Sequence, residues 1–207
     1  MYQYVKRALD IIFCAIALTL LPPVMIIISI LIKVDSKGAI FFKQQRIGKD
    51  GKHFDIYKFR TMVEDAEKVG TGLNSYKNDT RVTKVGEFLR TSSLDELPQL
   101  FNILKGEMSF IGPRPPVTYH PYKYSNYPLD AKIRFNVKPG VTGYAQINGR
   151  NSLSWEDKFK YDLYYVDNIS FLLDLKIFIL TVFKVIKMEG SYDLKHNKEQ
   201  STSLVGK

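Results

Sequence analysis

Apolar positions crowd toward the two ends of the chain and alternate with polar ones between. Ile11–Ile32 reads IIFCAIALTLLPPVMIIISILI without a single charge. At about 1.5 Å per residue, a continuous helix of that length reaches across a bilayer's hydrocarbon core of about 30 Å. Pro22 and Pro23 divide the run into halves too short to span alone, and each proline removes an N–H and crowds the preceding turn. A removable signal peptide fits poorly, because the run passes into Lys33, Val34 and Asp35 with no small-residue cleavage site. Both flanks are basic, with Lys6 and Arg7 before the run and Lys33, Lys37, Lys43 and Arg46 after it, so charge gives no sign of a crossing. The pattern predicts a helix that enters the membrane, turns at Leu21-Pro22-Pro23 and returns on the same side. A kinked spanning helix is the alternative.

Further along, Ala39–Ile47, a turn at Gly48–Gly51 and His53–Phe59 read as a β-hairpin. Met62–Val69 has a helical pattern, and Gly70–Asn78 is an aperiodic polar loop, a lid or an inert connector. Tyr144–Ile147 reads as a short strand between two turns. Trp155–Val166 has helical spacing, with core as the default place for its aromatic residues. In Phe171–Met188, Asp174, Lys176, Lys184 and Lys187 project to one side of an apolar helix, as in a helix lying in a membrane interface, with a core helix as the alternative. No internal repeat is apparent. The expected fold is α+β and mainly helical, with a re-entrant helix over 1–37, one compact cytosolic domain over 38–190 carrying a small β-hairpin and interfacial amphipathic helices, and a disordered tail over 191–207.

Composition narrows the function classes. Hydrophobic residues make up 45% and charged residues 25% of the 207, ordinary globular proportions that argue against wholesale disorder and against a polytopic transporter. Thirty Lys and Arg against 21 Asp and Glu give a formal charge of +9, which favours anionic partners: nucleic acid, lipid headgroups or phosphorylated small molecules. One cysteine, Cys14, allows no intrachain disulfide and no cysteine-based metal cluster.

Candidate chemistry centres on Asp95 and Glu96. Ser93 and Glu96 have capping-box spacing, the bland reading of two acids in a first turn. Pro98 opposes it, because a helix capped at Ser93 already needs the N–H that proline lacks. If Pro98 opens the helix instead, both carboxylates stand outside its positive end, a place suited to metal and phosphate chemistry. In Gly112-Pro113-Arg114-Pro115 the flanking prolines stiffen the backbone around a guanidinium suited to bidentate phosphate recognition, against the reading of a stiff turn with a solvated arginine. Arg150, in the turn Asn148–Asn151, is a second candidate anion ligand. Lys58 and Arg60 fall near the end of the second hairpin strand.

Together these blocks resemble the monotopic phosphoglycosyl transferases, the bacterial sugar-transferase family that begins glycan assembly on a lipid carrier. The resemblance rests on Lys6-Arg7 before a proline-broken apolar helix, Gln45-Arg46-Ile47-Gly48, Tyr57–Met62, Ser93–Leu100, Gly112-Pro113-Arg114-Pro115, and Pro139–Gly143 running on to Gly149-Arg150-Asn151. It covers the chain to about residue 190, and the order of the blocks is far more specific than any one of them. It implies transfer of a phosphosugar from a UDP-sugar to a polyprenyl (undecaprenyl) phosphate, with release of UMP and a need for Mg2+. It assigns Asp95 as the nucleophile of an aspartyl-phosphosugar intermediate and Glu96 as the magnesium ligand. Arg114 and Arg150 would contact nucleotide or phosphate beside Pro113, with Lys58, Arg60 and Arg90 as electrostatic or structural partners. Lys6, Arg7, Pro22 and Pro23 would set the membrane placement, on the cytoplasmic face of the inner membrane. The bilayer is then a partner and nucleic acid is not, while a homodimer is left open. The family's break often carries a Ser-Pro pair where this chain has Leu21-Pro22-Pro23, which leaves open how the bent backbone is satisfied.

Two other classes compete. A membrane-anchored module that holds anions on its basic surface predicts salt-sensitive binding and no role for Asp95. A magnesium phosphohydrolase predicts UMP release without a lipid acceptor.

Overall fold

A computed structural model of the chain describes residues 2–66, 79–149 and 152–187. The expected loop at 70–78 and tail at 191–207 lie outside the described residues, as does Arg150.

The amino-terminal apolar run forms two helices, α1 (Tyr2–Leu20) and α2 (Pro22–Asp35), whose axes bend by 63° at Leu21. The two prolines occupy the first positions of α2, where a missing N–H costs least. Leu21 itself keeps helical hydrogen bonding, donating to the Ala17 carbonyl and accepting from Met25 N–H, both at 2.9 Å. The carbonyls that the two prolines leave without an intrahelical donor are those of Leu18 and Thr19. No single helix among the described residues is long and apolar enough to cross a membrane.

Both ends of this helix pair are fastened to the same body. At the start of α1, Lys6 Nζ lies 2.8 Å from Asp174 Oδ2, and Arg7 donates to the carbonyls of Ile103 and Leu104 at 2.6 and 3.1 Å. Farther along, buried Asp10 accepts from Ser109 Oγ and Phe110 N–H, both at 3.1 Å. At the end of α2, Asp35 accepts from Val85 N–H at 3.0 Å, and buried Arg60 holds the carbonyls of Ser36 and Lys37. Between these ties much apolar surface stays exposed, including Phe13, Ile16 and Leu20 on α1 and Ile26, Ile27 and Ile30 on α2.

Strands β1 (Phe41–Ile47) and β2 (His53–Phe59) form the expected hairpin, antiparallel from Phe41↔Phe59 to Ile47↔His53. Alternation sends Phe54 and Ile56 inward against α4 (Gln99–Lys105), while Phe59, of opposite parity, is buried in a separate cluster with α2 and α3 (Lys84–Thr91). Strands β3 (Ser109–Ile111) and β4 (Gly140–Thr142) form a second, parallel pair. Their ends meet without room for side chains, since a Cβ on Gly140 would lie 2.1 Å from the Gly112 nitrogen. After the short α5 (Leu129–Lys132) and α6 (Tyr144–Ile147), the long α7 (Trp155–Asp167) and α8 (Phe171–Ile186) close the fold. The architecture is mainly helical with two small sheets.

Three expectations fail. Met62–Val69 is not helical over its described part: Met62 bridges Val82 in antiparallel fashion, and Asp65 has a φ of 57°. Long-range pairing with 81–83 takes the backbone donors a helix needs, as Val63 N–H bonds the Arg81 carbonyl at 2.9 Å. Tyr144–Ile147 is a helical turn rather than a strand, closed by Ile147 N–H on the Gly143 carbonyl at 3.1 Å. Asp174 does not share a polar face with the lysines of α8. It is buried and bonded to Lys6, to Tyr2 Oη at 2.6 Å and to Tyr165 Oη at 2.8 Å. The outward face of α8 is instead apolar, with Leu172, Leu175, Phe178, Ile179, Phe183 and Ile186 exposed.

Candidate active site

The carboxylates of Asp95 and Glu96 are presented by a single 3-10 turn, Leu94–Glu96, wedged between α3 and α4. Ser93 enters it with a φ of 59° and makes no side-chain cap, so the capping-box reading fails. Pro98 is the residue that opens α4, and the two acids stand before it. The turn is placed by α3, whose start is capped by Thr83 Oγ1 accepting from Gly86 N–H at 3.0 Å. Arg90, near the end of α3, donates to Thr61 Oγ1 at 2.8 Å and so ties the turn to the exit of β2.

Lys58, carried inward by β2, bridges the pair: its Nζ lies 2.7 Å from Glu96 Oε1 and 3.4 Å from Asp95 Oδ2. Arg114 Nη1 reaches the same Glu96 oxygen at 3.3 Å, with 42% of its side chain exposed. Asp95 is buried, and burial pushes its carboxyl above the usual aspartate range, with Lys58 opposing and Glu96 adding to the rise. Two acids side by side would repel. The ammonium between them lets both stay in place.

Beside the pair lies a cavity of about 250 Å³, with Glu96, Arg114, Gln146 and Lys184 in a wall otherwise dominated by apolar groups such as Leu100 and Phe110. Asp95 does not face this cavity directly; it sits behind Glu96 against Lys58. The backbone of Arg114 is itself held. Arg134 Nη2 donates to the Arg114 carbonyl at 2.7 Å and lies 2.8 Å from Asp162 Oδ2, with both side chains almost fully buried. Pro113 braces the same loop, its carbonyl accepting from Gly140 N–H at 3.0 Å.

Lys58, Asp95, Glu96 and Arg114 thus converge, and Arg90 supports them from behind. Arg60 does not join them, since the loop after α2 takes up its guanidinium. Lys6 and Arg7 likewise act as ties between helices. Sequence reasoning read Lys184 only as one of the polar positions on α8 and passed over Gln146, Arg134 and Asp162. Among the described residues no group of three or more His, Cys, Asp or Glu side chains forms a metal cage. The adjacent carboxylates still fit magnesium, which takes one or two of them and fills its remaining positions with water and substrate phosphates.

The bacterial sugar transferase family model matches residues 1–188. A relative from Bacillus subtilis (strain 168), the uncharacterized sugar transferase EpsL, is 46% identical over 193 residues, covering 92% of this chain and 92% of its own. The UDP-glucose:undecaprenyl-phosphate glucose-1-phosphate transferase of Klebsiella pneumoniae is 45% identical over 194 residues, 90% of this chain but 41% of that protein. A UDP-N-acetylgalactosamine-undecaprenyl-phosphate N-acetylgalactosaminephosphotransferase of Aeromonas hydrophila is 39% identical over 189 residues, 90% of this chain and 44% of its own. The chain therefore spans less than half the length of these last two relatives.

Proposed function

The chain belongs to the bacterial sugar transferase family, and on that premise we propose that it moves a sugar 1-phosphate from a UDP-sugar to undecaprenyl phosphate, releasing UMP. The observation that carries this reading is the Asp95–Glu96 pair held by Lys58 beside a cavity that Arg114 also lines.

Asp95 supplies the nucleophile. One of its oxygens bonds to the phosphorus that carries the sugar, while the bond from that phosphorus to the bridging oxygen breaks and UMP leaves with the electron pair. An oxygen of the lipid phosphate then attacks the same phosphorus and Asp95 departs as a carboxylate, leaving a polyprenyl diphosphate sugar. Lys58 and Arg114 offset the charge of the diphosphate, which would otherwise repel the carboxylate. Glu96, with Asp95 beside it, would hold magnesium, which supplies charge neutralisation on the phosphoryl oxygens. Arg150 is proposed as a further phosphate contact.

The membrane arrangement belongs to the same proposal. A helix pair fastened at both ends to one body and bent between them favours re-entry from the cytoplasmic face of the inner membrane over a crossing. The apolar outer face of α8 would lie beside it in the interface. The donor is water soluble and the acceptor's phosphate lies at the bilayer surface, so the site has to sit at that boundary.

Incubation with UDP-glucose, UDP-galactose or UDP-N-acetylgalactosamine and magnesium, without acceptor, tests the covalent step by intact mass. A phosphosugar adduct is expected on the wild type and absent from Asp95→Asn, whereas Glu96→Gln retains the nucleophile and forms the adduct slowly. An adduct that survives Asp95→Asn and vanishes in Glu96→Gln would exchange the two roles.

A further inference from the structure

Gln146, on α6, is only 8% exposed and lines the cavity beside Glu96 and Arg114. Among the described residues, neither its Nε2 nor its Oε1 has a hydrogen-bond partner. An unpaired buried amide destabilises a fold, and a leucine of similar volume would avoid the penalty. The backbone even makes room for the group, because a Cβ on Gly143 would lie 2.9 Å from Gln146 Oε1.

The amide offers a donor group and an acceptor oxygen side by side. A phosphate has no proton to give the acceptor, and Arg114 and Lys184 in the same wall suit phosphate better. A sugar hydroxyl both donates and accepts. Position points the same way: on the proposed mechanism the reacting phosphorus comes up to the Asp95–Glu96 pair, so the cavity that Glu96 lines adjoins it, and the hexose is joined to that phosphorus through one oxygen, while uridine lies beyond the second phosphate.

We propose that Gln146 is a donor-specificity residue that hydrogen-bonds the hexose hydroxyls of the UDP-sugar, an inference that rests on the phosphosugar-transferase reading above. The pairing forms only when the hexose fills the cavity, so the amide's unmet hydrogen bonds become selectivity for a correctly placed hydroxyl.

The test uses the full chain in lipid vesicles containing undecaprenyl phosphate, with UMP release measured from UDP-glucose, UDP-galactose and their N-acetylated counterparts. Gln146→Leu is expected to lower kcat/KM for the preferred donor about tenfold. It should also narrow the preference among the four donors, leave inhibition by UMP unchanged and hold or raise Tm. Unchanged kcat/KM and preference would overturn the inference. So would equal weakening of UMP inhibition, which assigns the amide to the nucleotide, or a uniform loss with a lowered Tm, which makes it structural. If the leucine variant does not fold, Gln146→Met provides the same comparison. Absence of UMP release by the wild type from every donor would overturn the functional reading itself, whatever the variants do.

Discussion

Asp162 faces Arg134 at 2.8 Å with almost no water around either side chain, and burial pushes its carboxyl up to about 6 in spite of the guanidinium. The folded protein then holds this proton more tightly than the unfolded chain does. The stability it contributes is full below about pH 4, the ordinary aspartate value, and is lost as pH rises through about 6. Asp162→Asn is therefore expected to flatten the pH dependence of the unfolding free energy between pH 4 and 7, by on the order of 3 kcal/mol, measured by chemical denaturation in detergent. Arg134 also holds the Arg114 carbonyl. Arg134→Met leaves Asp162 unpaired and costs about 3–5 kcal/mol, and in the folded fraction it lowers turnover through a loosened Arg114. A thermal melt paired with UMP release per folded molecule separates the two effects.

Element by element, the turn that carries Asp95 and Glu96 is only as well placed as α3. A Cβ on Gly86 would come within 2.0 Å of the Thr61 carbonyl oxygen, so α3 packs backbone to backbone on the end of β2. Gly86→Ala should therefore push α3 away, costing about 1–3 kcal/mol despite alanine's better helix propensity, and should lower activity with it. Differential scanning calorimetry and turnover on the same preparation check both. The hairpin was legible in the sequence because apolar residues recur on either side of the Gly48–Gly51 turn, whose glycines and aspartate suit a reversal. Pro98 likewise placed the two acids correctly. What escaped was set by distant partners. Met62 pairs with Val82, Asp174 turns inward to Lys6, and Arg60 is claimed by Ser36 and Lys37. Local periodicity carries no record of any of these. The four residues of α6 are too few to declare a period, which is why both the helical turn and Gln146 within it went unread.

For the whole molecule, the fastening of α1 and α2 at both ends predicts a labelling pattern. In a Cys14→Ser background, Tyr4→Cys and Lys37→Cys should both react with an impermeant maleimide from the cytoplasmic side of inner-membrane vesicles; Tyr4 is 86% exposed and Lys37 is exposed as well. Reaction of the two positions from opposite sides would establish a span. Replacing both Pro22 and Pro23 by alanine removes the reason for the bend, and Lys37→Cys in that variant should become less accessible from the cytoplasmic side.

The same fastening changes how the acceptor is to be counted. A site joined to its anchor by a flexible tether samples a volume, whereas one pinned at Lys6, Arg7, Asp35 and Arg60 would, on the proposed membrane placement, be held at a fixed height above the lipid surface. On the proposed membrane placement, its second substrate arrives by lateral diffusion in two dimensions. The second half-reaction then follows the mole fraction of polyprenyl phosphate in the bilayer rather than its bulk concentration. Other phospholipids act as a diluent, and the composition of the membrane becomes a kinetic variable of the enzyme.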